Sequence, residues 1–178
     1  MDNRYVKIFA SGSKAPLKAT PGHFATNHAH INYYLDMTTL KTRLSEAQEV
    51  AKHLAERFLF DKVVDTIVCL EGTQVIGAYL AEELTRAGVL STNAHKTIYV
   101  ITPEYNSNSQ MVFRENILPM VHGKNVVILT AVVTTGLSLN KSIEAIQYYG
   151  GKLQSAAAVF STPVSYTHLR AHETRGNL

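Results

Sequence analysis

Two apolar runs most constrain what this chain can become. Residues 63–70 (VVDTIVCL) and 125–131 (NVVILTA) carry little polar interruption. That is the pattern of strands covered on both faces, not of strands with one wet face. Each is followed by a turn and then by residues at helical spacing. The first helix runs over 74–87 and is closed by Gly88; the second runs over 139–149 and is closed by Gly150 and Gly151. Residues 97–102 (TIYVIT), ended by Pro103, and 153–161 read as two more strands. Ahead of them, 39–60 places Leu40, Leu44, Ala47, Val50, Ala51, Leu54 and Phe58 on one face, which predicts a single long amphipathic helix. Strands alternating with helices predict an α/β fold with a parallel sheet flanked by helices, Rossmann-like in kind. Ligands of such sheets bind at the carboxyl ends of the strands, here the turns after 63–70 and 125–131.

The remaining segments are less regular. Residues 1–30 are rich in Gly, Ser, Pro, Thr and His and read as loops with short extended pieces; 31–35 fits a short strand. Residues 103–124 form a polar, Asn- and Ser-rich connection, a hairpin or a lid. The expected organisation is therefore a small N-terminal substrate subdomain over 1–38, an α/β core over 39–163, and a tail over 164–178. The tail (VSYTHLRAHETRGNL) has no periodicity and reads like the translation of a DNA-sequencing adapter, so native sequence is expected to stop near Pro163 with the core truncated there.

Composition removes several function classes. The net charge of +3 comes from scattered residues, with no basic cluster interleaved with aromatics, which argues against nucleic-acid binding. No apolar run approaches the ~20 residues of a membrane-spanning helix, and the first residues lack the apolar stretch of a secretory signal. The single cysteine, Cys69, rules out an internal disulfide and fits a reducing, cytoplasmic setting. Within an apolar run it reads as a small core residue rather than a nucleophile.

The strand at 125–131 leads into Val132-Val133-Thr134-Thr135-Gly136-Leu137-Ser138 and then a helix. A strand, a small-residue turn and a helix N-terminus make an anion site, because amide N–H groups and the helix dipole point outward and hydroxyls add donors. Gly136 permits close backbone approach, and Ser138 is a candidate helix N-cap. An ordinary βα turn would use the same residue types for geometry alone, and spacing does not separate the two.

The sequence resembles the type I phosphoribosyltransferases, whose fingerprint is an apolar strand, two acidic residues, two apolar residues and Thr-Thr-Gly-x-Ser/Thr. Here 126–129 supply the strand, Val132 and Val133 the apolar pair, and Thr134-Thr135-Gly136-Leu137-Ser138 the loop. Within the family the N-terminal stretch, with Gly22-His23-Phe24, then Tyr33-Tyr34-Leu35-Asp36, is most similar to the substrate segment of orotate phosphoribosyltransferases. Glu71-Gly72-Thr73-Gln74 sits where the family's pyrophosphate loop follows a strand. The resemblance implies transfer of ribose 5-phosphate from phosphoribosyl pyrophosphate (PRPP) to a nitrogenous base in pyrimidine nucleotide biosynthesis, with Mg²⁺. It also implies a homodimer. Val133 to Ser138 would hold the 5′-phosphate, Glu71 to Gln74 the pyrophosphate, and Phe24, His28, His30 and Tyr34 the base.

Two departures cut against catalysis. Thr130 and Ala131 stand where the family carries the carboxylates that engage the ribose hydroxyls and help organise the Mg²⁺–PRPP complex, and no carboxylate within the loop replaces them. After residues 97–102 the orotate enzymes carry a basic cluster; here Glu104 follows, and Arg114 is the nearest cation. A non-catalytic binder or regulator that senses PRPP or a nucleotide is the competing expectation. His28 and His30 form a candidate metal pair without a third ligand, and so read as loop or substrate contacts. Lys14 and Lys18 read as solvated lysines.

Overall fold

The computed structural model describes residues 5–9, 11–25, 30–86 and 90–161, with backbone alone at 57 and 58. The segment 164–178, Gly88 and His28 lie outside the described residues.

Strands β4 (Thr66–Cys69), β5 (Tyr99–Ile101), β8 (Asn125–Val133) and β9 (Lys152–Ser161) form one sheet in the order β5-β4-β8-β9, parallel at every pairing. All four residues of β4 are buried, as are Val126 to Ala131 of β8, which is the two-faced covering that the apolar runs predict. Helix α3 (Gln74–Thr85) and helices α1 (Thr38–Thr42) and α2 (Leu44–Leu54) join the core cluster on one face, around Ile67, Ile76, Leu80, Leu84 and Leu129. Helix α4 (Leu137–Tyr148) contributes Ile146 to the cluster on the other face, with Val68, Val126, Ile128 and Phe113. Asp65 and Asn125 tie the entrances of β4 and β8 together: the Asn125 side-chain amide donates to Asp65 Oδ2 at 2.7 Å, and its backbone N–H to the same oxygen at 2.8 Å.

The N-terminal stretch is more regular than its composition suggests. Strands β1 (Val6–Phe9), β2 (Pro16–Ala25) and β3 (His30–Asp36) form an antiparallel sheet, not a set of loops. Ala15, Leu17 and Ala19 alternate inward, and Ala15 and Leu17 join the α1–α2 side of the core. That alternation is the half-buried strand signature; the Pro and Gly that mask it sit at 21 and 22, inside the irregularity that interrupts β2–β3 pairing.

The helix expected over 39–60 is broken. Arg43 is extended (φ −89°, ψ 123°) between α1 and α2, and Thr42 turns its hydroxyl back to Thr38 O at 2.6 Å, a local bond of the kind that competes with helix continuation. The break leaves Leu44 59% exposed, although its spacing marked it as a core position. A five-residue π-helical stretch, Ala55–Leu59, then carries the chain on. Between β5 and β8 the connection contains the hairpin β6 (Glu104–Tyr105) and β7 (Met111–Val112). Asn106 builds its turn by accepting the N–H groups of Asn108 and Gln110 on Oδ1.

Gly77 lets α3 approach β4. A Cβ at this position would lie 2.3 Å from Cys69 Sγ. Gly77→Ala is expected to lower stability by about 2 kcal/mol through overpacking, read as a lower urea midpoint at unchanged slope. Cys69 itself is fully buried. Burial pushes its thiol up to about 12, against a smaller opposing pull from Thr73. The native protein should therefore resist thiol reagents at pH 8 and react on unfolding. Because the folded value is the raised one, Cys69 should make stability fall as pH rises from about 9 toward 12. That slope should shrink in Cys69→Ala.

Candidate functional site

The carboxyl end of β4 lies beside the middle of β8, with Leu70 N donating to Leu129 O at 2.8 Å, and β8 runs on to Val133. Two turns leave this edge. In the first, Glu71 (φ 54°) and Gly72 (φ 79°) are both left-handed. Thr73 closes the turn: it is fully buried, and its hydroxyl reaches Leu70 O at 2.8 Å and Leu129 O at 3.1 Å. Thr73 therefore fastens the turn to both central strands, while Gly72 and Gln74 remain exposed.

The second turn is shorter than the sequence implies. Val132 and Val133 belong to β8, paired with Phe160 and Ser161 of β9, so the turn proper is Thr134-Thr135-Gly136. Gly136 is the N-cap of α4, at φ 74° and ψ −5°, and its carbonyl accepts the Asn140 N–H at 2.8 Å. Ser138, expected as the cap, lies inside the helix, where its carbonyl accepts the Ser142 hydroxyl. Gly136 brings no side chain to cap α4, while Thr135 Oγ1 accepts the N–H of Leu137, the first helical residue, at 3.5 Å. Thr134, Thr135, Leu137 and Ser138 are exposed around this helix start. This is the arrangement in which amide donors and the helix dipole face an anion.

The neutral pair at the end of β8 turns inward. Ala131 is 3% exposed and packs in the core. Thr130 is 4% exposed, and its hydroxyl donates to Glu71 Oε2 at 3.0 Å. The Val132 N–H donates to the same oxygen at 3.3 Å. A carboxylate thus does reach this strand end, carried there by the neighbouring turn.

Sequence reasoning missed Lys41. From α1 its ammonium donates to Glu71 O at 2.9 Å, and it lies 3.8 Å from where a Gly72 Cβ would sit. No local signal marks it, because 30 residues separate it from the turn. Tyr105 on the hairpin is half-exposed, and its hydroxyl is pushed above its ordinary value first by partial burial and then by the Glu71 charge. Arg114 is paired across the hairpin with Glu104 at 2.6 Å, both side chains exposed. They line a cavity of about 190 Å³ with Thr102 and Asn116.

The expected base-side residues fall on the N-terminal sheet. Phe24 and Tyr34 pack with ring centroids 5.7 Å apart. His30 stacks on His23, with Nδ1 and Nε2 3.1 Å apart. Asp36 begins α1 by accepting the Thr38 N–H at 2.9 Å, and the hydroxyl and amide of Thr38 hold its carboxyl below the usual value. Lys18 lies 5.6 Å from the Tyr5 ring centroid.

Solved phosphoribosyltransferases share this fold. The orotate phosphoribosyltransferase of Mycobacterium tuberculosis is 14% identical, aligning over 82% of this chain and 90% of its own with a TM-score of 0.52. That of Aeropyrum pernix is 20% identical over 79% and 73%, with a TM-score of 0.52. The adenine phosphoribosyltransferase of Thermoanaerobacter pseudethanolicus is 16% identical over 82% and 83%, at 0.56. No protein-family model and no curated protein sequence matches the chain.

Thr73→Val should strip two buried carbonyls of their shared donor. The expected cost is about 1–3 kcal/mol, measured by urea unfolding, with amide exchange speeding up around 70–74 ahead of the rest of the sheet.

Proposed function

We propose that the chain is a phosphoribosyltransferase that moves ribose 5-phosphate from PRPP to a nitrogenous base and releases pyrophosphate. The observation that carries this reading is the start of α4, where a left-handed glycine and exposed Thr and Ser hydroxyls surround the helix N-terminus. Thr134, Thr135, Gly136, Leu137 and Ser138 would hold the 5′-phosphate, with Val133 placing the turn from the end of β8. The turn Glu71 to Gln74, with Lys41 beside it, would face the pyrophosphate. The similarity of the N-terminal segment to that of orotate enzymes supports a pyrimidine-type base. Phe24, His28, His30 and Tyr34 are the proposed base-side residues, of which His28 lies outside the described structure. A cytoplasmic homodimer is part of the same proposal. No helix among the described residues is long and apolar enough to cross a membrane.

Mg²⁺ belongs to this proposal as an ion carried on substrate oxygens. Among the described residues no three His, Cys, Asp or Glu side chains gather to hold a metal, so those residues do not form a protein-built cage. Mg²⁺ commonly binds through one or two carboxylates plus substrate phosphates.

The inward-turned Thr130 and Ala131 favour a second reading, a PRPP- or nucleotide-binding regulator without transfer activity. One assay separates the two. The protein is incubated with PRPP, Mg²⁺ and a panel of bases that includes orotate, uracil, adenine and hypoxanthine, and pyrophosphate is measured. Release with any base establishes the transferase; binding of PRPP without release establishes the regulator. Gly136→Asp should abolish either result, because aspartate tolerates the left-handed backbone yet sets a competing carboxylate against the α4 amides.

A further inference from the structure

The geometry points to a second ligand site, sharing no residue with the two turns, that takes a single-ring aromatic molecule carrying one hydroxyl group, with His53 as the hydrogen-bond acceptor.

The site is a cavity of about 80 Å³ where the N-terminal sheet meets the core. Ile8 and Phe9 of β1 and Leu17 of β2 line it from the sheet; Leu40, Val50 and Leu54 line it from α1 and α2, and Phe160 from β9. Ile8 and Phe9 are 44% and 54% exposed, so the β1 wall reaches the surface and leaves a way in. The Lys14 N–H donates to Glu49 Oε1 at 3.2 Å, which fastens the segment ahead of β2 to α2 one helical turn before His53.

Only Ser13 and His53 bring polar side chains to this lining. Ser13 Oγ already accepts the Ala15 N–H at 3.2 Å. His53 Nε2 is buried and has no hydrogen-bond partner among the described residues. Such an atom is costly and rare in a native protein, and beside a cavity it is a place for a ligand to bond. Water suits the space poorly, because a buried water typically makes about three hydrogen bonds. An ionised ligand suits it no better, since one imidazole nitrogen would have to compensate a whole desolvated charge. A hydroxyl asks for a single acceptor, which the lone pair of a neutral imidazole supplies. The rings of Phe9 and Phe160 favour an aromatic body. The volume is far below the ~300 Å³ at which drug-sized sites begin, which limits the ligand to one ring. A molecule seated here touches β1, β2, α2 and β9 together. It would therefore hold the N-terminal sheet, whose strands carry Phe24 and Tyr34, against the core.

Phenol and toluene share a shape and differ in the hydroxyl. Each is titrated into the intact chain and into His53→Leu, with side-chain methyl resonances as the readout. Both should move the signals of Ile8, Leu17 and Leu54. In His53→Leu the phenol-to-toluene affinity ratio should fall about tenfold, because phenol loses its acceptor while toluene keeps its walls. In the wild type, phenol should move the Nε2 nitrogen resonance of His53 well beyond any shift caused by toluene, a signature that does not depend on how the variant folds. Phenol should also slow amide exchange in β1 and β2. An unchanged affinity ratio would overturn the inference, and so would a His53 nitrogen signal that responds equally to both probes. Binding of neither probe by the wild type, or shifts centred away from these three residues, would overturn it as well.

Discussion

The pairing of β4 with β8 is the constraint on which the rest of the structure depends. Both strands are buried on both faces, and parallel strands must be joined by crossovers that cover those faces with helices. Every polar side chain with chemistry to do is thereby driven to the strand ends. Thr73 fastens the turn after β4 to β8, since one hydroxyl bridges Leu70 O, just past β4, and Leu129 O in β8. The turn is thereby held against the strand, and its Glu71 carboxylate is bonded to the β8 backbone at Val132.

The parts of the fold legible in the sequence are those set by local pattern. The runs at 63–70 and 125–131 announced buried strands, and Gly150 and Gly151 marked where α4 ends, while its start, expected at Ser138, lies at Gly136. The misread parts have physical causes. Pro21 and Gly22 disguised a ten-residue strand whose Leu17 and Ala19 alternate inward. The helix expected over 39–60 breaks at the extended Arg43, next to a Thr42 hydroxyl turned back to Thr38 O, although its apolar spacing runs straight through the break, and Leu44 is turned outward.

The site divides in the same way. The turn at 134–136 was legible because a strand, small residues and a helix start are consecutive in the chain. The β4–α3 turn was legible as a place but not as a chemistry. Lys41 reaches it from another element, and only the folded chain shows that Glu71 crosses to β8. Thr130 and Ala131 leave this stretch of β8 uncharged in sequence; the carboxylate bonded to it in the folded chain is that of Glu71.

Glu71 occupies a backbone conformation that glycine would adopt at lower cost, with Gly72 left-handed directly after it. For a residue bearing a Cβ that conformation costs on the order of 1 kcal/mol. Glycine there would relax the main chain but leave the buried Thr130 hydroxyl without its acceptor, so the position marks a conflict between a relaxed main chain and an anchored side chain. A thermostabilisation campaign guided by backbone geometry would choose residue 71 early, and would delete the carboxylate that holds Thr130 and Val132.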